Sequence, residues 1–366
     1  MRLYKAFALV GTSVLIASCA SVLKYDKADQ LKKNEEFDKA VEIVKPVETV
    51  TPEGEVQITE VVPEKEPVKT PTAKKITKPK ATKPTASTSG KAIVAAKTAK
   101  PSAKGGTVQT EAASKTRQPE LEDSEGFDGR RPLVDPFRVG EEVVHNVHYF
   151  KVSAGELRMK VNPYALVNNR KSYNFGIAIK TSSLFSKFYS VDDRVEIFTD
   201  YEDLVPRVFQ LHVKESNQLR EAKMLFDTEK NTATFWEKKV TKENGEQEKR
   251  LEWEIPEYTQ NVYSAIFYMR NFKWEVGKQY AFRVANDDEN LVFSGEALRK
   301  EVLQTKLGPM NAIVIKPNIV LKGQFKPIGD NFIWLSDDDR KYVLRIESKI
   351  KIGTLVSEVI EIKPGK

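Results

Sequence analysis

The 366-residue chain carries 59 basic and 52 acidic side chains, a formal net charge of +7, and one cysteine, Cys19. A lone cysteine excludes intrachain disulfides, cysteine-based zinc sites and, if it is otherwise occupied, thiol catalysis. The positive charge is not spread evenly: Lys65 to Arg117 holds 13 basic against 2 acidic residues, so the remainder of the chain is net acidic.

The first elements form an export signal. Arg2 and Lys5 precede an apolar run from Ala6 to Ile16, and small Ala17 and Ser18 stand before Cys19. A positive end, a short apolar stretch and small residues at the cut are the marks of a secretory signal. The run is too short to cross a bilayer, which takes about 20 apolar residues. Residues 1–18 are therefore expected to be a signal peptide. The segment resembles the lipobox of bacterial lipoproteins, which implies that Cys19 carries the lipid and that the membrane is a partner through it. Ala20, in place of an aspartate, favours the outer membrane facing the periplasm over the inner membrane.

Residues 19–45 are expected to be a lipidated N-terminus with a short helix, because Ala28, Leu31, Phe37 and Val41 recur at helical spacing with charges between them. The expectation is a solvated helix beside the anchor. Residues 46–130 read as a disordered linker rich in Pro, Lys, Ala and Thr. No aromatic residue occurs between 38 and 126, and eight prolines fall in 46–118. Such a segment buries too little to offset its ordering entropy. As a spacer, 46–118 would reach roughly 50 Å coiled and more than about 200 Å stretched. Its lysines suit anionic envelope polymers; export argues against nucleic acid as a partner.

Residues 131–366 read as one antiparallel β domain. Leu157, Met159 and Val161 recur at every second position; so do Tyr173, Phe175, Ile177 and Ile179, then Phe209, Leu211 and Val213, and later Tyr280, Phe282 and Val284. Asn244-Gly245 signals a hairpin. Ile346, Ile350, Ile352, Val356, Ile360 and Ile362 share one parity, which predicts a single strand of about 17 residues bent at Gly353. Asn261 can cap a helix running to about Asn271, with Val262, Ala265, Ile266 and Met269 facing the sheet. Some 13 or 14 strands are too many for one flat sheet. The fold class is thus all-β: one large, strongly curved antiparallel sheet, a β-barrel or half-barrel, with one short helix.

An ordered set of short motifs runs through this domain: Phe137-Arg138-Val139-Gly140-Glu141-Glu142, Ala154-Gly155, Tyr189-Ser190-Val191-Asp192-Asp193, Phe226-Asp227, Leu307-Gly308, Trp334-Leu335-Ser336-Asp337-Asp338 and Lys351-Ile352-Gly353. Together they resemble the bacterial exported-protein family catalogued as domain of unknown function family 3108, over about residues 136–362. The resemblance implies a barrel-like or half-barrel domain in the periplasm or on the outer membrane, and no established activity. One departure is Val343, which stands where the family pattern leads to a proline.

No motif commits the chain to a reaction. His145 and His148 are three apart, so on one strand they face opposite ways and cannot share a metal ion. Asp192-Asp193, Asp287-Asp288-Glu289 and Asp337-Asp338-Asp339 lack a calcium-loop pattern and are expected in hairpin turns. The segment with the best ligand-binding composition is Trp334, Asp337, Asp338 and Arg340, a stacking face beside bidentate polar groups. No cofactor and no metal is expected. The sequence favours a non-catalytic binding or scaffolding module for a lipid-like, glycan or protein ligand. The alternatives are a hydrolase of envelope polymer working through an Asp pair, and a structural membrane-to-wall tether. Oligomeric state is left open.

Overall fold

Alternating strands become one sheet rolled around its own apolar face. The computed structural model describes residues 28–50, 56–59, 61–63, 127–128, 131–150, 152–286, 289–321, 324–326, 331–350 and 353–366. The signal peptide, Cys19 and most of the linker lie outside the described residues.

Two short helices come first, α1 (Ala28–Leu31) and α2 (Glu35–Ala40), then β1 (Ile43–Val44). Two separate pairs follow: β2 (Val47–Val50) with β3 (Val56–Thr59), and β4 (Phe127–Asp128) with β5 (Arg131–Pro132). The wall starts with β6 (Glu141–Tyr149), β7 (Val152–Val167), β8 (Arg170–Thr181) and β9 (Asp192–Asp200). It continues through β10 (Pro206–Lys214), β11 (Gln218–Asp227), β12 (Thr232–Thr241) and β13 (Gly245–Glu254). After β14 (Gln260–Asn261) and helix α3 (Ser264–Tyr268) come β15 (Gln279–Asn286), β16 (Glu289–Thr305) and β17 (Gly308–Leu321). The last four are β18 (Gln324–Lys326), β19 (Asn331–Ser336), β20 (Val343–Ile350) and β21 (Gly353–Pro364), and β21 pairs back onto β6.

Register places one apolar residue opposite another around the wall. Val161, Phe175, Ile197, Phe209, Met224 and Phe235 are consecutive cross-strand partners over six strands, and all are buried. Each such side chain contributes roughly 1.5–3 kcal/mol relative to exposure, so the belt alone fixes which face turns inward. Phe137 plugs the interior against Tyr173 and Phe175, with ring centroids 5.4 and 4.9 Å away.

The sheet is mostly antiparallel and does not close. At the seam β13 faces β14, which runs parallel to β15. Side chains bridge the seam instead of a ladder: Trp253 Nε1 donates to Asn290 Oδ1 at 3.2 Å, and Asn290 Nδ2 donates to the Glu254 carbonyl at 2.9 Å.

Antiparallel pairing gives the wall two rims. The upper rim carries the turns near Phe150, Leu184, Asn217 and Asn244, together with the turn between β20 and β21. The lower rim carries the turns near Asn168, Glu202, Lys230, Leu307 and Asp338.

Four sequence expectations differ from what is observed. The long strand at the end is a hairpin: Ile350 pairs with Gly353, whose φ is +141°, and β21 turns back along β20. The reversal changes which parity faces inward, so Leu355, Ser357 and Val359 are buried whereas Val356 and Ile360 are not. Asp192 and Asp193 lie within β9 and not in a turn, opposite Lys180 and Ile179. The helix after Asn261 is shorter than expected: α3 covers five residues and continues as one 3-10 turn, Met269–Asn271. Asn261 still serves its start, accepting from the Tyr263 N–H at 2.9 Å.

The fourth difference is the N-terminal segment, which is docked on the barrel rather than solvated. Leu31 packs with Leu219 and Val240 near the upper rim. Phe37 is buried against Phe198, Val208 and Trp236 on the outer wall, its ring 5.8 Å from that of Trp236. Glu36 accepts from Trp236 Nε1 at 2.8 Å and pairs with Arg250 at 2.7 Å. β1 then adds a short ladder to the lower end of β7, and Lys45 reaches Glu196 at 2.6 Å. Arg131, beyond the linker, bonds the Tyr173 hydroxyl at 2.8 Å and the Tyr201 carbonyl on the same wall. Both flanks of the linker are thus held by one side of the barrel. Asn244-Gly245 does form its hairpin, with Gly245 at φ +64°.

Candidate binding site

The four residues chosen for their composition stand together at the lower rim, each with a structural partner. Trp334 is buried, with 5% of its surface exposed. Its Nε1 donates to Glu301 Oε1 at 2.7 Å, and the Arg345 guanidinium lies 5.3 Å from its ring. That indole donor, assisted by Arg299 and Arg345, holds the Glu301 carboxyl below its ordinary range despite some desolvation. Asp337 pairs with Lys300 at 2.8 Å. Asp338 Oδ1 accepts from Ser336 Oγ at 2.7 Å and from the N–H groups of Arg340 and Lys341 at 3.0 and 2.9 Å, which is turn-capping geometry. β20 begins just after, at Val343, following a register shift between Trp334 and Leu335.

Arg340 belongs to a buried ion cluster. Its NH2 donates to Glu141 Oε2 at 2.7 Å and to the Pro364 carbonyl at 2.7 Å. Arg270, 3% exposed, donates to both oxygens of the same glutamate at 2.6 and 3.1 Å, and to the Arg340 carbonyl at 2.9 Å. Bidentate Arg–carboxylate geometry satisfies the charges it buries. The cluster ties the end of α3's segment, the start of β6 and the β19–β20 turn into one lower-rim plug.

The acidic and histidine candidates elsewhere are separated. Asp193 is buried beside Glu215, and desolvation together with that neighbouring charge raises its carboxyl to about 7. Glu215 accepts from the Tyr189 hydroxyl at 2.6 Å. His145 is buried in the wall between Ser357 and Val343, while His212 contacts Glu221. Among the described residues, no three His, Cys, Asp or Glu side chains are grouped to hold a metal ion. A polar groove of about 300 Å³ crosses the outer wall beside Lys160, Arg194, Glu196 and His212, but it is open and shallow.

The interior offers a different chemistry. Between α3 and the wall of β15, β16, β17, β19 and β20 lies an apolar cavity of about 40 Å³. Val262, Ala265, Ile266 and Met269 form one side; Leu291, Phe293, Ile333 and Ile346 form the other. Asn331 and Ser348 are its polar members, toward the upper rim. Their polar atoms contribute almost nothing to its surface, and a void lined by hydrocarbon does not retain water. The four α3-side residues were legible as the sheet-facing stripe of a helix. That they border a void was not, because alternation along a strand looks the same whether the opposite wall touches or stands off.

Fold and interior together define a class: an open, antiparallel β-barrel with a dry apolar interior. The chain belongs to the family described as Protein of unknown function (DUF3108), which matches residues 144–360. Solved structures with a similar fold include a β-barrel-like protein of the DUF1849 domain from Brucella abortus. It is 10% identical, with 62% of this chain and 98% of that one covered and a TM-score of 0.41. A protein with a YmcC-like fold from Bacteroides fragilis, inferred to be exported, is 10% identical over 62% and 97% of the two chains, with a TM-score of 0.29. An inferred lipoprotein from Parabacteroides distasonis is 11% identical over 62% and 95%, with a TM-score of 0.28. No curated protein matches the sequence.

Proposed function

We propose that this protein is a lipid-anchored module of the cell envelope that holds an apolar, lipid-like ligand inside its barrel and performs no chemistry on it. The observation that carries the reading is the dry cavity beneath α3. At about 40 Å³ it takes only the end of an acyl or isoprenoid chain, and its almost wholly hydrocarbon lining penalises a sugar or peptide by the cost of unmatched polar groups. Val262 and Ile266 are only partly buried, so this side of the cavity is thinly covered. A longer chain enters by displacing them. The lipobox-like sequence at Cys19 supports attachment to a membrane, and Ala20 supports the outer membrane, facing the periplasm.

Against the hydrolase reading, Asp337 is paired with Lys300 and Asp338 caps its turn. The test of the binding reading is uptake of cis-parinaric acid, whose fluorescence rises in a dry site, by the full chain and by Ala265→Phe. The added ring fills the cavity. The wild type is expected to bind, with the variant at least about tenfold weaker, a difference of roughly 1.4 kcal/mol. Equal binding by both proteins, or none by the wild type, removes the proposal.

A further inference from the structure

We propose that the upper rim of the barrel rests on the lipid bilayer that holds the anchor, through Phe150, Val152, Leu184 and Phe188. The proposal rests on the membrane attachment in the proposed function and adds which end of the molecule meets the membrane.

Two independent observations place the bilayer there. The first is where the chain leaves the barrel. Leu31 is packed against Leu219 and Val240, which are cross-strand partners at the upper ends of β11 and β12. From Ala28 back to Cys19 is nine residues, at most about 30 Å of extended chain. Leu31 sits one residue from the upper ends of β11 and β12, strands of ten residues each, so the anchor starts beside the upper rim and reaches it easily.

The second observation is what the upper rim exposes. Phe150 at the β6–β7 turn is 68% exposed and Phe188 in the β8–β9 loop is 75% exposed, with Val152 at 47% and Leu184 at 57% between them. The turn and the loop are adjacent: Ser182 donates its N–H to the Ala154 carbonyl at 2.9 Å. The two phenylalanines are the exposed aromatic rings among the large hydrophobic side chains described. Phe150 is held outward by its backbone, at φ +48°, and by Gly353, whose missing Cβ leaves room for the ring 2.9 Å away. Exposed lysines, Lys180 and Lys187, flank the patch. Apolar rings among lysines suit the headgroup boundary of an anionic leaflet, where the rings sink and the ammonium groups remain at the phosphates. The lower rim exposes aliphatic side chains, such as Leu133 and Leu307, but no such rings.

The test uses the full lipidated chain in vesicles of phosphatidylethanolamine and phosphatidylglycerol, with and without bromine on the acyl chains. Phe188→Trp and Leu307→Trp place one reporter on each rim. The four native tryptophans stand at mid-wall or below and give a constant background. Interfacial side chains sit about 5–10 Å into the headgroup boundary, so the emission that Phe188→Trp adds over the wild type is expected to fall by about half in brominated vesicles, while that added by Leu307→Trp is unchanged. Flotation of the same samples separates the two readings. Protein that floats but shows no quenching at Phe188→Trp, or equal quenching at both positions, overturns the rim alone. Protein that does not float overturns the anchor, and the rim with it.

Discussion

His145 shows how one buried polar residue ties stability to pH. Its Nε2 lies 2.8 Å from the Val343 carbonyl and its Nδ1 3.0 Å from Ser357 Oγ. An N–H must meet the carbonyl, so Nε2 donates and Nδ1 accepts from the serine; the neutral ring is fully satisfied. Burial pushes the imidazole down from 6.5 to about 4, against the raising effect of the two hydrogen bonds. The unfolded chain binds a proton below about pH 6.5 that the folded chain refuses until about pH 4. The stability is therefore present above pH 6.5 and is lost as pH falls toward 4, by about 3 kcal/mol. Urea unfolding at pH 7.5 and 4.5 is expected to show that loss in the wild type and not in His145→Gln. Parallel pH slopes for the two proteins would refute it. Asp193 has the opposite sign: raised to about 7, it contributes below its unfolded value near 3.8 and loses that contribution as pH rises through 7. The sequence drew attention to both residues but not to their burial, because a histidine or aspartate in an alternating strand reads the same whether its partner is water or a buried hydroxyl.

Among the elements, the docked N-terminal segment has the least support of its own. α1 and α2 have four and six residues, too short to persist without packing. What holds α2 is Phe37 under Trp236 and Lys223, whose ammonium lies 4.4 Å from the Phe37 ring, with Asn34 capping the Phe37 N–H at 3.0 Å. Phe37→Ala should cost the segment roughly 3–5 kcal/mol while leaving the barrel folded. Hydrogen exchange would then accelerate through residues 31–45 and stay slow in β7 to β12; protection that persists in 31–45 contradicts this account. The sequence showed the stripe of Leu31, Phe37 and Val41 but not its receiving surface. Phe198, Val208 and Trp236 lie on the outward parity of their strands, where polar residues are the rule. The same gap explains the misread C-terminal hairpin. Parity is preserved across Lys351-Ile352-Gly353 in the sequence, and only the positive φ of Gly353 reveals that the chain reverses. By contrast the inward parity of Val161, Phe175 and Phe209, the Asn244-Gly245 turn and the sheet-facing stripe of α3 were legible, since each is a pattern within one strand, one turn or one helix.

At the scale of the whole molecule, both flanks of the 46–130 stretch are fastened to the same side of the barrel. Lys45 on one flank meets Glu196, and Arg131 on the other meets the Tyr201 carbonyl, only five residues further along the same chain segment. Limited proteolysis within 64–126 is therefore expected to give two fragments that copurify without denaturant, held by the contacts of Phe37, Glu36 and β1. A barrel fragment that elutes free of the N-terminal piece would show that the docking is too weak to matter. A mechanical property follows from this closed loop. Tension applied from the N-terminal side of Ala28 is borne first by the Leu31–Val44 contacts, and the 85 residues from 46 to 130 carry none of it. If those contacts peel away, the same load falls on the loop, which lengthens by up to about 290 Å before the barrel itself is stretched. The segment is hidden length behind a sacrificial fastening: a short leash under ordinary load and a long one past a threshold of force.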